Sequence, residues 1–202
     1  MGSHGRRYFE RLFLGSVTER MLRKLPVPVL TVSHLDPATE IRIPGPVPVK
    51  RILYATDLSD GTEGGLKFAM QLARGMDARL SVLHALRAAE EVYAGGGLAA
   101  YMPEYAAQVR AGTQERLSRI VALNSDGSVP VTTMLVDGVP YEVINRVAED
   151  MKADLIVLNL HSKGRLERAL LGSTAERVIR TATIPVLSLP LPATYADRWL
   201  AA

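Results

Sequence analysis

One segment of this chain occurs twice, and the repeat limits the fold more than any other feature. Residues 2–33 read GSHGRRYFERLFLGSVTERMLRKLPVPVLTVS, and residues 159–190 read NLHSKGRLERALLGSTAERVIRTATIPVLSLP. Aligned without a gap, His4 meets His161, Glu10-Arg11 meets Glu167-Arg168, and Gly15-Ser16 meets Gly172-Ser173. Glu19-Arg20 then meets Glu176-Arg177, and Pro28-Val29-Leu30 meets Pro185-Val186-Leu187. About twelve of the thirty-two positions are identical at an offset of 157 residues. An offset of that size is one domain, so the repeat predicts two domain-scale units, the first represented mainly by its tail.

The second copy has a readable local grammar. Ala153–Leu158 is a short apolar run, the pattern of a strand buried on both faces. Gly172-Ser173-Thr174 opens the helical pattern AERVIRTA, with Ser173 or Thr174 as its expected N-cap. A strand, a loop and a helix N-terminus in succession suit an anion, because unpaired N–H groups and the helix dipole converge. Lys163, Arg165 and Arg168 put positive charge in that loop, though Arg165 and Arg168 can equally be solvated or paired with Glu167.

The remaining segments alternate in type. Residues 1–33 read as a loop, a helix near residues 16–25 and a strand near residues 28–33. A lone helix and strand cannot bury their apolar sides, so this piece must dock elsewhere. Residues 34–49 are proline-rich and read as a linker. A complete domain spans residues 50–190, and residues 191–202 form a tail whose Trp199 and Leu200 can cover an apolar patch. Within the domain we expect a strand at Ile52–Ala55, a helix at Thr62–Met76 and a strand at Leu80–Leu86. Arg87–Gly112, with Gly95-Gly96-Gly97, reads as a flexible connection. A helix at Thr113–Leu123, a strand at Pro130–Leu135 and a helix at Tyr141–Met151 follow. Strands at Leu155–Leu158 and Ile184–Leu189 complete it. Strand and helix alternating at this spacing give right-handed βαβ units and a parallel sheet.

Composition excludes several classes. The chain has 202 residues, 48% hydrophobic and 22% charged, enough for one α/β domain and a sizeable extra piece. No apolar run approaches the roughly 20 residues of a membrane span. Cysteine is absent, which removes disulfides, thiolate metal sites and cysteine nucleophiles and fits a cytoplasmic protein. A net charge of +3, without an aromatic-interleaved basic patch, gives no case for nucleic acid. The triple glycine is no P-loop, because no Gly-Lys-Ser/Thr follows. No carboxylate pair at metal spacing and no other enzyme signature is present, so the chain does not read as an enzyme.

Gly2, Gly5, Gly15 and Ser16 fall in the order glycine, two residues, glycine, nine residues, Gly-Ser. This pattern resembles the nucleotide loop of the universal stress protein family. The second copy keeps Gly172-Ser173 but has Asn159 and Ser162 where the family has glycines. The resemblance implies the adenine nucleotide alpha hydrolase-like (HUP) fold: three layers around a parallel five-stranded sheet in the order 3-2-1-4-5, here with an extra N-terminal helix and strand. It implies a tandem protein with one complete domain and the remnant of another. It also implies ATP, with Mg²⁺, as the ligand. The adenosine would lie by Ala55, Thr56, Asp57 and Ala85. The phosphates would lie by Leu158, Asn159, His161, Ser162, Gly172, Ser173 and Thr174. Asp57 ends the first strand of the complete domain and can equally cap the next helix with Ser59. Side chains at 159 and 162 would occupy space that the family leaves open, so the loop fold would survive with nucleotide access reduced and ATP either bound or absent.

A second reading is a nucleotide-independent dimerisation or scaffold protein in stress adaptation. The family's domains pair antiparallel through their last strands. Val27–Val32 is therefore expected to pair with Ile184–Leu189, within the chain or across a homodimer.

Overall fold

In the computed structural model, residues 18, 20–22, 26–32, 48–87, 103–160 and 172–190 are described. Six strands form one sheet: β1 (Val29–Thr31), β2 (Arg51–Ala55), β3 (Arg79–Leu86), β4 (Val131–Asp137), β5 (Leu155–Asn159) and β6 (Val186–Leu189). Four helices accompany them: α1 (Thr62–Gly75), α2 (Pro103–Asn124), α3 (Pro140–Asp150) and α4 (Ser173–Thr181). Residues 20–22 are helical as well.

The sheet order is β1-β6-β5-β2-β3-β4. All pairings are parallel except the one between β1 and β6. Counted from β2, the complete domain's strands run 3-2-1-4-5. The central strands β2 and β5 are apolar on both faces, as strands covered by helices on two sides must be. Their side chains alternate between two cores. Leu53, Ala55, Ile156 and Leu158 face α3 and α4, meeting Val143, Val147, Val178 and Ile179. Ile52, Tyr54, Leu155 and Val157 face α1 and α2, meeting Leu66, Ala69, Leu117 and Val121.

β1 pairs with β6 inside the same chain, with Val29, Leu30 and Thr31 opposite Ser188, Leu187 and Val186. Leu22 is buried in the α3/α4 core, and Val29 packs against it. The N-terminal segment therefore docks on the complete domain through both its helical turn and its strand.

Three expectations need correction. The segment up to Gly112 is not wholly a connection, since α2 begins at Pro103. Proline suits a first helical position, where its missing N–H costs nothing, and Glu104 favours the helix dipole. At α4 the N-cap is Gly172 and no side-chain cap bond forms, so Ser173 and Thr174 lie inside the helix. Asn159 belongs to strand β5 rather than to the loop after it. The calls at Gly2, Gly5, Gly15, Ser16, His161, Ser162, most of the linker, the triple glycine and the tail lie outside the described residues.

Candidate functional site at the carboxyl ends of β2 and β5

The strand order reverses between β2 and β5. From β2 the chain moves outward to β3 and β4, then returns to β5 and moves the other way to β6. In an open parallel sheet, the carboxyl ends of strands at such a reversal leave a crevice where ligands bind. Ala55 and Leu158 are register partners at this point. Both are buried and share one core with Ala175, in the first turn of α4. Common packing therefore brings the ends of β2 and β5 and the start of α4 together. The side chains of Ala55 and Leu158 point into that core, so at a ligand they could offer only backbone.

The turn after β2 is tightly specified. The Thr56 N–H donates to the Leu83 carbonyl at 2.9 Å, and His84 Nδ1 lies 2.9 Å from the Thr56 carbonyl. Since a carbonyl only accepts, that nitrogen carries the proton. Thr56 Oγ1 is 2.9 Å from Thr62 Oγ1 and accepts from the Leu58 N–H at 3.1 Å. Leu58 has φ +59, the left-handed region that non-glycine residues avoid. Such a conformation costs on the order of 1–3 kcal/mol and persists where its surroundings fix it. Here the Leu58 side chain is buried, and Arg116 of α2 donates to its carbonyl at 2.8 Å.

Asp57 lies between these anchors and is exposed. Its Oδ1 accepts from the Ser59 N–H at 3.0 Å, closing an Asx turn. The helix cap is Gly61 rather than Asp57 or Ser59. On β3, Ala85 continues two residues past the partner of Ala55 and is half-buried against the α3/α4 core.

Asn159 departs most from expectation. Its side chain is buried and turned toward α1. Nδ2 donates to Tyr54 Oη at 3.1 Å and to the Gly61 carbonyl at 2.9 Å. Tyr54 Oη in turn donates to the Thr62 carbonyl at 3.0 Å. Burial pushes the Tyr54 hydroxyl far above its ordinary value, so it stays neutral. Gly65 makes this network possible, because a Cβ there would overlap Asn159 Oδ1 and Tyr54 Oη. Asn159 thus ties the end of β5 to the start of α1.

Tyr54, Gly61, Thr62, Gly65 and Arg116 were not singled out from the sequence. One signal was present, since Gly64-Gly65 inside a helical pattern marks a close approach. Nothing marked Arg116, because its partner is a carbonyl 58 residues away. Among the described residues, no group of three or more His, Cys, Asp or Glu could hold a metal ion. No helix among them is long and apolar enough to cross a membrane.

A three-layer α/β domain with a parallel sheet and its crevice at the β2/β5 reversal defines the class. The chain belongs to the universal stress protein family, whose model matches residues 1–33 and 48–190. Universal stress protein MJ0531 of Methanocaldococcus jannaschii is 34% identical over 145 residues, covering 71% of this chain and 83% of that protein. Universal stress protein Mb2028c of Mycobacterium bovis is 30% identical over 191 residues, 93% of this chain and 59% of its own length. Among solved structures, protein MJ0577 of Methanocaldococcus jannaschii matches with a TM-score of 0.59 at 28% identity, covering 71% of this chain and 97% of that chain.

Proposed function

We propose that the β2/β5 crevice binds an adenine nucleotide, ATP with Mg²⁺, and that the chain serves stress adaptation by sensing it. One observation carries this reading. The turn holding Asp57 is pinned from four sides at the switch point, and the first turn of α4, capped by Gly172 without a side-chain bond, shares the core just below. A pinned carboxylate can meet ribose hydroxyls. The α4 N-terminus offers Gly172, Ser173 and Thr174 backbone to phosphate. We assign no catalytic residue, and treat ATP turnover as incidental. We also read residues 1–33 as the tail of a tandem partner domain and the protein as cytoplasmic.

A thermal-shift titration with ATP and Mg²⁺ tests the ligand. Nucleotide at a hundred times its Kd adds about 2.7 kcal/mol of stability. Asp57→Ala should reduce the shift without lowering the melting temperature of the unliganded protein. An unchanged melting temperature at millimolar ATP leaves the second reading, a nucleotide-independent pairing module, which the β1–β6 seam favours.

A further inference from the structure

Asp57 is bracketed by anchors of two kinds. On its amino side, Thr56 is tied to β3 and to the start of α1, through Leu83, His84 and Thr62. On its carboxyl side the anchor comes from α2, whose Arg116 donates from Nη2 to the Leu58 carbonyl at 2.8 Å. Leu117 and Val121 lock this part of α2 into the α1/α2 core, so the guanidinium is delivered from a fixed support. Arg116 itself is exposed, and the core does not depend on it.

The bond matters because of the carbonyl it reaches. The Leu58 carbonyl and the Ser59 N–H belong to one peptide unit, which is planar and turns as one body. That N–H donates to Asp57 Oδ1 at 3.0 Å. Arg116 at one end of the unit and Asp57 at the other therefore hold the same object. A guanidinium on the carbonyl also polarises the peptide and strengthens its N–H as a donor. Leu58 enters this unit from φ +59, a conformation that a leucine does not hold unaided. Turning the unit would break the bond to Asp57 and let its carboxylate swing.

We propose that Arg116 is a positioning residue of the crevice. Acting through the Leu58–Ser59 peptide, it sets the direction in which Asp57 presents its carboxylate to the ribose of a bound nucleotide. This role rests on the nucleotide reading of the crevice, and it adds a dependence on α2. The guanidinium acts through the turn and does not touch the ligand.

The test uses the full 202-residue chain with ATP and Mg²⁺. Arg116→Met removes the donors and leaves an unbranched side chain, while Arg116→Lys keeps a cationic donor. Exchange of the Ser59 amide with water, read by NMR, should speed up about threefold or more in Arg116→Met and stay near the parent in Arg116→Lys. Both variants should melt near the parent, as exposed substitutions do. In calorimetric titration Arg116→Met should lose about tenfold in ATP affinity, and Arg116→Lys should recover most of it. With Asp57→Ala already in place, Arg116→Met should cause no further loss, because it acts through that carboxylate. An unchanged Ser59 amide in Arg116→Met overturns the proposal, and so does an equal loss of affinity with and without Asp57. If the parent binds no ATP, the nucleotide reading falls, and the Ser59 amide alone decides whether Arg116 sets the turn.

Discussion

The segment around β1 and the segment around β6 share much of their sequence and have different surroundings. Leu22 and Ile179 are equivalent, and both are buried in the same core. Met21 and Val178 are equivalent too, yet one faces solvent and the other is fully enclosed. The strands pair with each other as equals, but only β6 has a parallel strand on its other side. Shared sequence therefore fixed how each copy folds locally and which edge meets the other. The neighbours of each copy decide how deeply its side chains are buried.

The sharpest way to break this comparison is to place the same charge in both copies. Val178→Asp buries an unpaired carboxylate and should unfold the domain, a loss of several kcal/mol. Met21→Asp should stay within about 0.5 kcal/mol of the parent in urea denaturation, as exposed substitutions do. Equal losses would mean that the two copies are equally enclosed.

The next contrast lies where one copy has Gly2 and the other has Asn159. Gly65→Ala should destabilise by about 1–3 kcal/mol through overpacking against Asn159 and Tyr54. Asn159→Gly alone should cost about 1–3 kcal/mol, by removing the donor to Tyr54 and to Gly61. Combined, they should cost less than the sum, because the second change removes part of the first one's obstruction. Strict additivity in a double-mutant cycle would show that the two sites do not touch.

Asp154 probes the opposite end of the strands that only the complete copy holds in this structure. It accepts from the Lys50 and Arg51 N–H groups at 2.9 Å each and pairs with the Arg51 guanidinium at 3.3 Å. Partial burial pushes its carboxyl up, but these hydrogen bonds outweigh it and hold the group below its ordinary value. A depressed folded value stabilises above the unfolded pKa of about 3.9 and is lost as pH falls through the lower folded value. Asp154→Asn should therefore be less stable than the parent at pH 7, with the gap closing below about pH 4. A gap unchanged down to pH 2 would rule out a role for the charge.

The smallest effects belong to the seam itself. Thr31 Oγ1 and Ser188 Oγ are buried without a partner, and they are equivalent in the two copies. Replacing an orphan hydroxyl removes an unmet desolvation cost, so Ser188→Ala and Thr31→Val should be neutral or stabilising by up to about 1 kcal/mol. Matching signs support a symmetric seam, and opposite signs argue against it.

Much of this was legible in the sequence because it rests on local patterning. The apolar runs of β2 and β5 marked doubly covered strands, whereas the β1–β6 pairing was expected from the family resemblance. The first three turns of α2 were not legible, since residues 104–112 are exposed all round and carry no apolar stripe. The direction of the Asn159 side chain was not legible, because a residue at a strand's end can face either way, and only Gly65 across the core shows which. The cap of α4 was misplaced by one or two residues, as glycine, serine and threonine all suit an N-cap. Arg116 and Leu58 meet only through the tertiary fold.

An engineered cross-link tests the β1–β6 pairing most directly. The chain has no cysteine of its own, so a Leu30→Cys, Leu187→Cys variant introduces one pair. Residues directly opposite in an antiparallel ladder lie about 4.5–5.5 Å apart at Cα, within the range a disulfide spans. Oxidation at low protein concentration should give a monomer with an internal disulfide, seen as a faster-migrating band on non-reducing gels. A control with Val32→Cys and Leu187→Cys, two residues out of register, should cross-link far more slowly. Disulfides formed only between chains, or faster in the control, would contradict the pairing.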